Sequence, residues 1–131
     1  MAIYTTRWFD RWAEKQGLDN DSLCKAVREM AAGLFDADLG GGLFKKRVAR
    51  PGQGKSGGWR TLVATRKTDR WVFMYGFPKN ERSNIDKGEE AALKLQATFL
   101  LALTADKVKT ARLAGDLIEV NCDSQDPIQD S

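Results

Sequence analysis

A run of three glycines, Gly40-Gly41-Gly42, separates two parts of the chain that differ in hydrophobic periodicity. Before it, apolar residues recur every three to four positions, as in amphipathic helices. After it, apolar and polar residues alternate in short segments, which is typical of β-strands. Such a change of period requires helices that pack against a sheet, and 131 residues are enough for one hydrophobic core. We therefore predict a single α+β domain over residues 1–120.

The first part of the chain predicts two helices. Thr5 or Thr6 is placed to cap the first helix, and Gly17 to end it. Asn20 or Asp21 is placed to cap the second. We expect the two helices to form an antiparallel hairpin whose aromatic stripe belongs to the core rather than to a ligand site. The stripe contains Trp8, Phe9 and Trp12.

The second part predicts three strands, at residues 43–49, 59–66 and 70–77. A tight polar turn at Thr68-Asp69 joins the last two as a hairpin. The predicted fold class is α+β, with an N-terminal helix hairpin packed on a small, mainly antiparallel sheet and followed by C-terminal helices.

The C-terminal helices are predicted from a capping pattern. Asp86 and Glu89 resemble a capping box that opens a helix to about residue 103, and a shorter helix extends to Leu113. Residues 116–120 then form a short edge strand or a docking segment. Residues 121–131 are polar and acidic, and we expect this tail to be disordered.

Charge is unevenly distributed along the sequence. Residues 43–82 contain eleven basic and two acidic residues, a net charge of +9, whereas the remainder carries a net charge of −6. Segregation of this kind is typical of a surface that binds a polyanion. The alternative is a solvated face that only keeps the protein in solution.

Residue types that are missing exclude several kinds of chemistry. Histidine is absent, which excludes imidazole as a general base or a metal ligand. The only cysteines, Cys24 and Cys122, lack metal-site spacing, and we expect Cys24 to be a small buried hydrophobe and a disulfide to be unusual. We therefore expect no metal and no cofactor. The N-terminus lacks a signal-peptide pattern and the longest apolar run has seven residues, so we expect a cytoplasmic protein that does not enter a membrane.

Residues 49–56 fit a relaxed phosphate-loop pattern. Such a loop requires a helix directly after it, so that the helix N–H groups face the phosphates. Here glycines and β-branched residues follow, which favours a strand. Nucleotide binding is therefore not expected.

The basic residues are predicted to meet along one edge of the sheet. The pleat places Lys45 and Arg47 on one face, and Phe44, Lys46 and Val48 on the other. The glycine-rich loop and the end of the last strand add cations and aromatic rings beside them, namely Lys55, Arg60, Tyr75, Phe77, Lys79, Asn80 and Arg82. Cations suit a phosphodiester backbone, and exposed bases stack on aromatic rings.

Three blocks in this region resemble the RelE-like toxins of type II toxin–antitoxin systems. They are Gly-Leu-Phe-Lys-Lys-Arg at residues 42–47, Gly-Lys-Ser-Gly-Gly-Trp-Arg at residues 54–60, and Tyr-Gly-Phe-Pro-Lys-Asn at residues 75–80. The resemblance covers roughly residues 8–120 and implies the fold of the RelE/ParE superfamily. It also implies a ribosome-dependent endoribonuclease that cuts mRNA by attack of a ribose 2′-OH on the adjacent phosphate, without a metal ion. The implied partners are the ribosome, mRNA and a cognate antitoxin with a helix-turn-helix domain.

The resemblance also implies roles for individual residues. The implied catalytic residues are Lys55, Arg60, Lys79 and Arg82. The implied RNA-binding residues are Lys45, Lys46, Arg47, Tyr75, Phe77 and Asn80. Asn80 stands where RelE has a second strand-end arginine, and the late base-stacking tyrosine of RelE has no clear match, so Tyr75 or Phe77 would take that role. Physically, clustered cations stabilise charge that develops on phosphorus, and a lysine of depressed pKa could accept the 2′-OH proton.

Two other functions fit the same sequence. One is a non-catalytic inhibitor of DNA gyrase, as among ParE-like relatives. The other is a plain RNA-binding module. Convergent cations favour the nuclease, because a protein inhibitor has no need of them.

Overall fold

The computed structural model describes residues 1–50, residue 52 and residues 54–122, the side chains of residues 54–56 excepted. Of the tail predicted to be disordered, residues 123–131 lie outside the described residues, whereas Asn121 and Cys122 are described and Cys122 is held by a disulfide bond. The elements in chain order are β1 (Ala2–Thr6), α1 (Arg7–Gln16), α2 (Asn20–Ala31), β2 (Ala37–Gly40), β3 (Leu43–Arg50), β4 (Gly54–Thr65), β5 (Arg70–Pro78), α3 (Lys87–Ala102), α4 (Ala105–Leu113) and β6 (Leu117–Glu119).

The described strands form one six-stranded mixed sheet in the order β2-β3-β4-β5-β1-β6. Strands β2 to β5 are antiparallel to their sequence neighbours. Strand β1 lies parallel to β5 and antiparallel to β6, so the N-terminal segment occupies an interior position of the sheet.

This layout contradicts the predicted fold class, although the chain is α+β overall. A strand precedes the helix pair, and the sheet is mixed. It contains β1 and β2 in addition to the three predicted strands, and β6 is an edge strand within the predicted segment 116–120. The sequence does not reveal the first strand because it is buried on both sides. Ile3 packs into the core beneath α1 and α2 and Tyr4 into the core beneath α3 and α4, so no alternation of polar and apolar residues marks the strand. Strand β2 has the sequence of a turn, because its four residues include Asp38 and Gly40, which has a positive φ.

Two hydrophobic cores lie on opposite faces of the sheet. Helices α1 and α2 cover one face, where Phe9, Val27 and Met30 pack against the strands. Helices α3 and α4 cover the other, where Ala97, Leu101 and other apolar residues pack on β3, β4 and β5. The sheet thus forms the middle of three layers, with one helix pair packed on each of its faces.

The helix ends follow the predicted capping chemistry closely. Thr6 caps α1 by accepting from the Phe9 N–H, and Gly17 ends it with φ 75°. Asp19, one residue earlier than predicted, caps α2. Asp86 and Glu89 form the predicted capping box of α3.

Cys24 is buried in the core as expected, but it is disulfide-bonded to Cys122, a bond that the sequence analysis expected to be unusual. The pairing of β6 with β1 brings the segment after β6 over α2, and the two Cα atoms are 6.0 Å apart. The bond therefore joins residues separated by 98 positions in the sequence. No helix among the described residues is long and apolar enough to cross a membrane.

Candidate nucleic-acid interface

Three cations share one face of the sheet, as the pleat predicts. Arg47 of β3 lies directly opposite Arg60 of β4, and Lys45 lies two residues along β3 on the same side. Directly opposite residues of antiparallel strands point to the same face. We call this surface, formed by Lys45, Arg47 and Arg60, the cationic face.

Strand β5 continues the cationic face with aromatic rings. Its register places Phe77 opposite Arg60 and Tyr75 opposite Leu62, which in turn lies opposite Lys45. The ring centroids of Tyr75 and Phe77 are 6.3 Å apart. Phe77 is only 3% exposed, so of these two rings only the partly exposed Tyr75 offers a surface beside the cations.

The two arginines of the cationic face, Arg47 and Arg60, carry like charges and lie directly opposite each other on β3 and β4. Like charges directly opposite each other on a sheet are destabilising. Asp36 compensates Arg47 in part, with its carboxylate 3.6 Å from the Arg47 Nε and accepting from the Arg47 backbone N–H. Among the described residues, the buried Nε of Arg60 has no hydrogen-bond partner. The buried Nε of Arg47 likewise has no hydrogen-bond partner among the described residues, and such donors are costly. An anion bound at the cationic face would offset the repulsion between the two guanidinium groups.

Arg82 borders the cationic face but is already paired. Its guanidinium lies over the Phe77 ring, 5.1 Å from the centroid, and donates to both carboxylate oxygens of Glu89. The hydrogen bond from Arg82 lowers the pKa of Glu89, and the same bond raises the pKa of Arg82. A phosphate would have to compete with Glu89 for this side chain.

Two polar residues that the sequence analysis does not single out hold the site together. Asn84 accepts from the Lys45 Nζ at 3.3 Å through its Oδ1, and its backbone carbonyl accepts from the Arg82 Nε at 3.0 Å. Asp36 contacts Arg47 as described above. No local pattern marks either residue, because their contacts with β3 join segments well separated in the sequence.

Lys46 lies on the opposite face of β3 from the cationic face. Only 3% of the residue is exposed, and its Nζ pairs with Glu29 at 2.8 Å and donates to the Leu34 carbonyl at 2.9 Å. The structure therefore does not bring Lys46 together with the other predicted RNA-binding residues. Its contacts tie β3 to α2.

The remaining predicted residues lie around Gly58. A Cβ at this position would lie 2.1 Å from the Val48 carbonyl oxygen, so only glycine fits between β3 and β4. The Lys79 N–H donates to the Gly58 carbonyl at 3.1 Å, which places Lys79 next to β4. Asn80 is exposed in the turn that follows, and the side chain of Lys55 is outside the described residues.

Trp8 departs from the prediction that it belongs to the core. It is 48% exposed and stacks on Tyr75, with ring centroids 4.8 Å apart. Trp12 stacks on Trp8 in turn, with centroids 6.0 Å apart. Trp12 also lies over Gly76, where a Cβ would come within 2.5 Å of its ring. Of the aromatic stripe, Phe9 alone is fully buried.

The glycine-rich segment leads into a strand and not into a helix. Residues from Gly54 onward belong to β4, so the helix N-terminus that a phosphate loop requires does not follow it. In the part of the chain that the structure describes, no group of three or more carboxylates or cysteines is placed to hold a metal ion.

Comparison with known proteins gives the class to which this fold and site belong. A family model described as the RelE toxin of the RelE/RelB toxin–antitoxin system matches residues 1–120. The chain is therefore a toxin of a toxin–antitoxin system, and a cognate antitoxin is its partner. It belongs to the RelE toxin family, whose members are in general endoribonucleases that inhibit translation. Among curated proteins, no significant match is found.

Proposed function

We propose that this protein is a ribosome-dependent endoribonuclease that cuts mRNA in the cytoplasm and so arrests translation. The observation that carries the proposal is Arg60, whose buried Nε lacks a partner in the described structure and which lies opposite both Arg47 and Phe77. A guanidinium with unused donors suits a phosphate, which it can bind through two parallel hydrogen bonds.

The chemistry that fits this site is transesterification within the RNA chain. The ribose 2′-oxygen attacks the adjacent phosphorus, and the bond from phosphorus to the 5′-oxygen breaks. The products are a 2′,3′-cyclic phosphate and a 5′-hydroxyl end. Negative charge grows on the phosphoryl oxygens during the attack, and fixed cations lower the energy of that state. Arg60 and Arg47 are placed to supply them.

Proton transfer completes the reaction. The 2′-OH proton passes to a basic side chain, and the leaving 5′-oxygen takes up a proton. We assign the lysines near Gly58, Lys79 and Lys55, to this part of the reaction. The backbone bond between Lys79 and Gly58 supports the assignment, because it fixes where the segment after β5 meets β4.

Substitution of Arg60 tests the proposal. We expect Arg60→Ala to reduce the cleavage rate on the order of a hundredfold, because one electrostatic donor is removed. Arg60→Lys keeps the charge but not the paired donors and should recover only part of the rate. Arg112→Ala is the matched control, because Arg112 pairs with Glu119 on α4 and β6, away from the cationic face.

The assay is induction of each variant followed by primer extension on cellular transcripts. The proposal would be supported if the wild type cleaved the transcripts and the Arg60→Ala variant showed the expected large loss of cleavage. Growth arrest with intact transcripts would contradict it and favour gyrase inhibition, which a supercoiling assay would then report. Ribosome binding without either effect would favour a plain RNA-binding module.

A further inference from the structure

Helix α1 carries a second basic surface, outside the cation-rich residues 43–82. Arg7, Trp8, Arg11, Trp12 and Lys15 together line an open depression of about 410 Å³ on its outer side. We call the part formed by Trp8, Arg11, Trp12 and Lys15 the α1 stripe. The acidic residues of the same helix, Asp10 and Glu14, line a different depression.

Lys15 lies in the last turn of α1, where a cation favours the helix, but the spacing of the basic residues along α1 opposes its stability. Arg7, Arg11 and Lys15 follow one another at i, i+4 spacing, and like charges at this spacing destabilise a helix. Arg7 has a structural role, since it pairs with Asp116 and donates to the carbonyls of Ala114 and Gly115. Within the described residues, Arg11 and Lys15 form no hydrogen bond or ion pair through their side chains. Their charge is therefore available to a ligand.

The α1 stripe is continuous with the cationic face through aromatic rings. Phe77, opposite Arg60, contacts Tyr75, Tyr75 stacks on Trp8, and Trp8 stacks on Trp12. The interplanar angles within the Tyr75–Trp8–Trp12 series are 28° and 10°. Nearly parallel rings with one half-exposed member present a flat apolar surface flanked by cations, which is the arrangement that single-stranded nucleic acid prefers.

We propose that the α1 stripe binds the single-stranded RNA that continues from the cationic face. An unpaired base packs against the exposed part of the Trp8 ring, and Arg11 and Lys15 contact backbone phosphates. The inference rests on the proposed function, because it takes the RNA at the cationic face as given. It adds a binding site that lies on a different element from all the residues assigned to cleavage.

The test is the dependence of affinity on RNA length. Fluorescein-labelled 2′-O-methyl oligonucleotides of four and twelve residues lack the attacking hydroxyl and are bound without being cut. We expect the twelve-residue RNA to bind more tightly than the four-residue RNA. Trp8→Ala should weaken binding of the longer RNA about tenfold and leave the shorter RNA unaffected. Phe99→Ala, at an aromatic residue that is 64% exposed on α3, is the matched control.

A second variant tests the stripe without altering the aromatic stack. Arg11→Gln with Lys15→Gln should reduce the slope of log affinity against log salt by about 1.4 for the longer RNA, because two cations no longer neutralise phosphates. Lys25→Gln with Lys109→Gln removes the same charge from exposed positions on α2 and α4 and should leave the slope unchanged. Circular dichroism shows whether each variant is folded.

The outcomes separate this inference from the proposed function. Equal binding of the longer RNA by wild type, Trp8→Ala and the Arg11/Lys15 variant would overturn the inference, whether or not the protein cuts mRNA. The inference would also be overturned if the Trp8→Ala and Arg11/Lys15 variants lost antitoxin binding but bound RNA as the wild type does. The stripe would then be a protein interface. Length-dependent RNA binding that needs the stripe, in a protein without cleavage, would support the inference and contradict the proposed function.

Discussion

Lys45 and Lys46 are neighbours in the sequence but lie on opposite faces of β3. Replacement by methionine should therefore lower the stability of the fold at Lys46 and weaken RNA binding at Lys45. Methionine keeps most of the apolar stem and removes the charge. Lys46→Met removes the ion pair between Lys46 and Glu29 and the hydrogen bond to the Leu34 carbonyl. In Lys45→Met, the 3.3 Å hydrogen bond to Asn84 is removed.

The magnitude for Lys46 follows from its burial. Removing one partner of a buried ion pair costs about 3–5 kcal/mol. The Lys46 side chain is 4% exposed, but that of Glu29 is 26% exposed and can turn toward water, so we take the lower end of the range. A destabilisation of about 3 kcal/mol lowers the unfolding temperature of a domain of this size by roughly 10 °C.

Thermal unfolding and RNA binding, measured on the same preparations, check this prediction. We expect Lys46→Met to unfold about 10 °C below the wild type and to bind a non-cleavable RNA normally at 20 °C. Lys45→Met should unfold near the wild-type temperature and bind RNA with a salt slope smaller by about 0.7, because one cation no longer neutralises a phosphate. An unchanged unfolding temperature for Lys46→Met, or equal reductions of RNA affinity in the two variants, would refute the assignment of the two faces.

Three further predictions concern pH, the disulfide and the antitoxin. The hydrogen bond from Arg82 lowers the pKa of Glu89 in the folded chain, so this pairing stabilises the fold fully at neutral pH and is lost progressively as the pH falls below the ordinary pKa of glutamate. The difference in unfolding temperature between wild type and Glu89→Gln should therefore shrink from pH 7 to pH 3. Reduction of the disulfide, or Cys24→Ser, should lower the free energy of unfolding by up to about 4–5 kcal/mol, as expected for a closed loop of this length, in urea titrations with and without reductant. We expect an acidic antitoxin segment to approach the cationic face, so Lys45→Glu with Arg47→Glu should slow complex formation at low salt in stopped-flow mixing; an unchanged association rate would place the antitoxin elsewhere.

The features that could be predicted from the sequence are those set by local chemistry. The Asp86–Glu89 capping box, the left-handed Gly17 and the pleat that separates Lys45 from Lys46 each depend on residues a few positions apart. Lys45, Arg47 and Arg60 lie on one surface because antiparallel pairing follows from a hairpin order of strands.

The features that could not be predicted depend on contacts between distant segments. Ile3 and Tyr4 give no strand signal because both sides of β1 are buried. The exposure of Trp8 follows from where β1 places the start of α1, beside Tyr75, whereas helical spacing alone places it in a core. The hydrogen bond between Asn84 and Lys45 likewise exists only once the segment after β5 folds back over β3.

The interior position of β1 has a consequence for the order in which the protein folds. Strand β1 pairs with β5, which lies 68 positions later in the sequence for the pair Ala2 and Arg70, and with β6 near the end of the described chain. Contacts of such long sequence separation form slowly and late. The β3–β4–β5 meander contains only local pairings, so it is able to form before β1 is paired. A chain that stops before residue 117 leaves one edge of β1 unpaired, and unpaired strand edges promote association with other chains. Complete synthesis is therefore a condition for the native topology of this toxin.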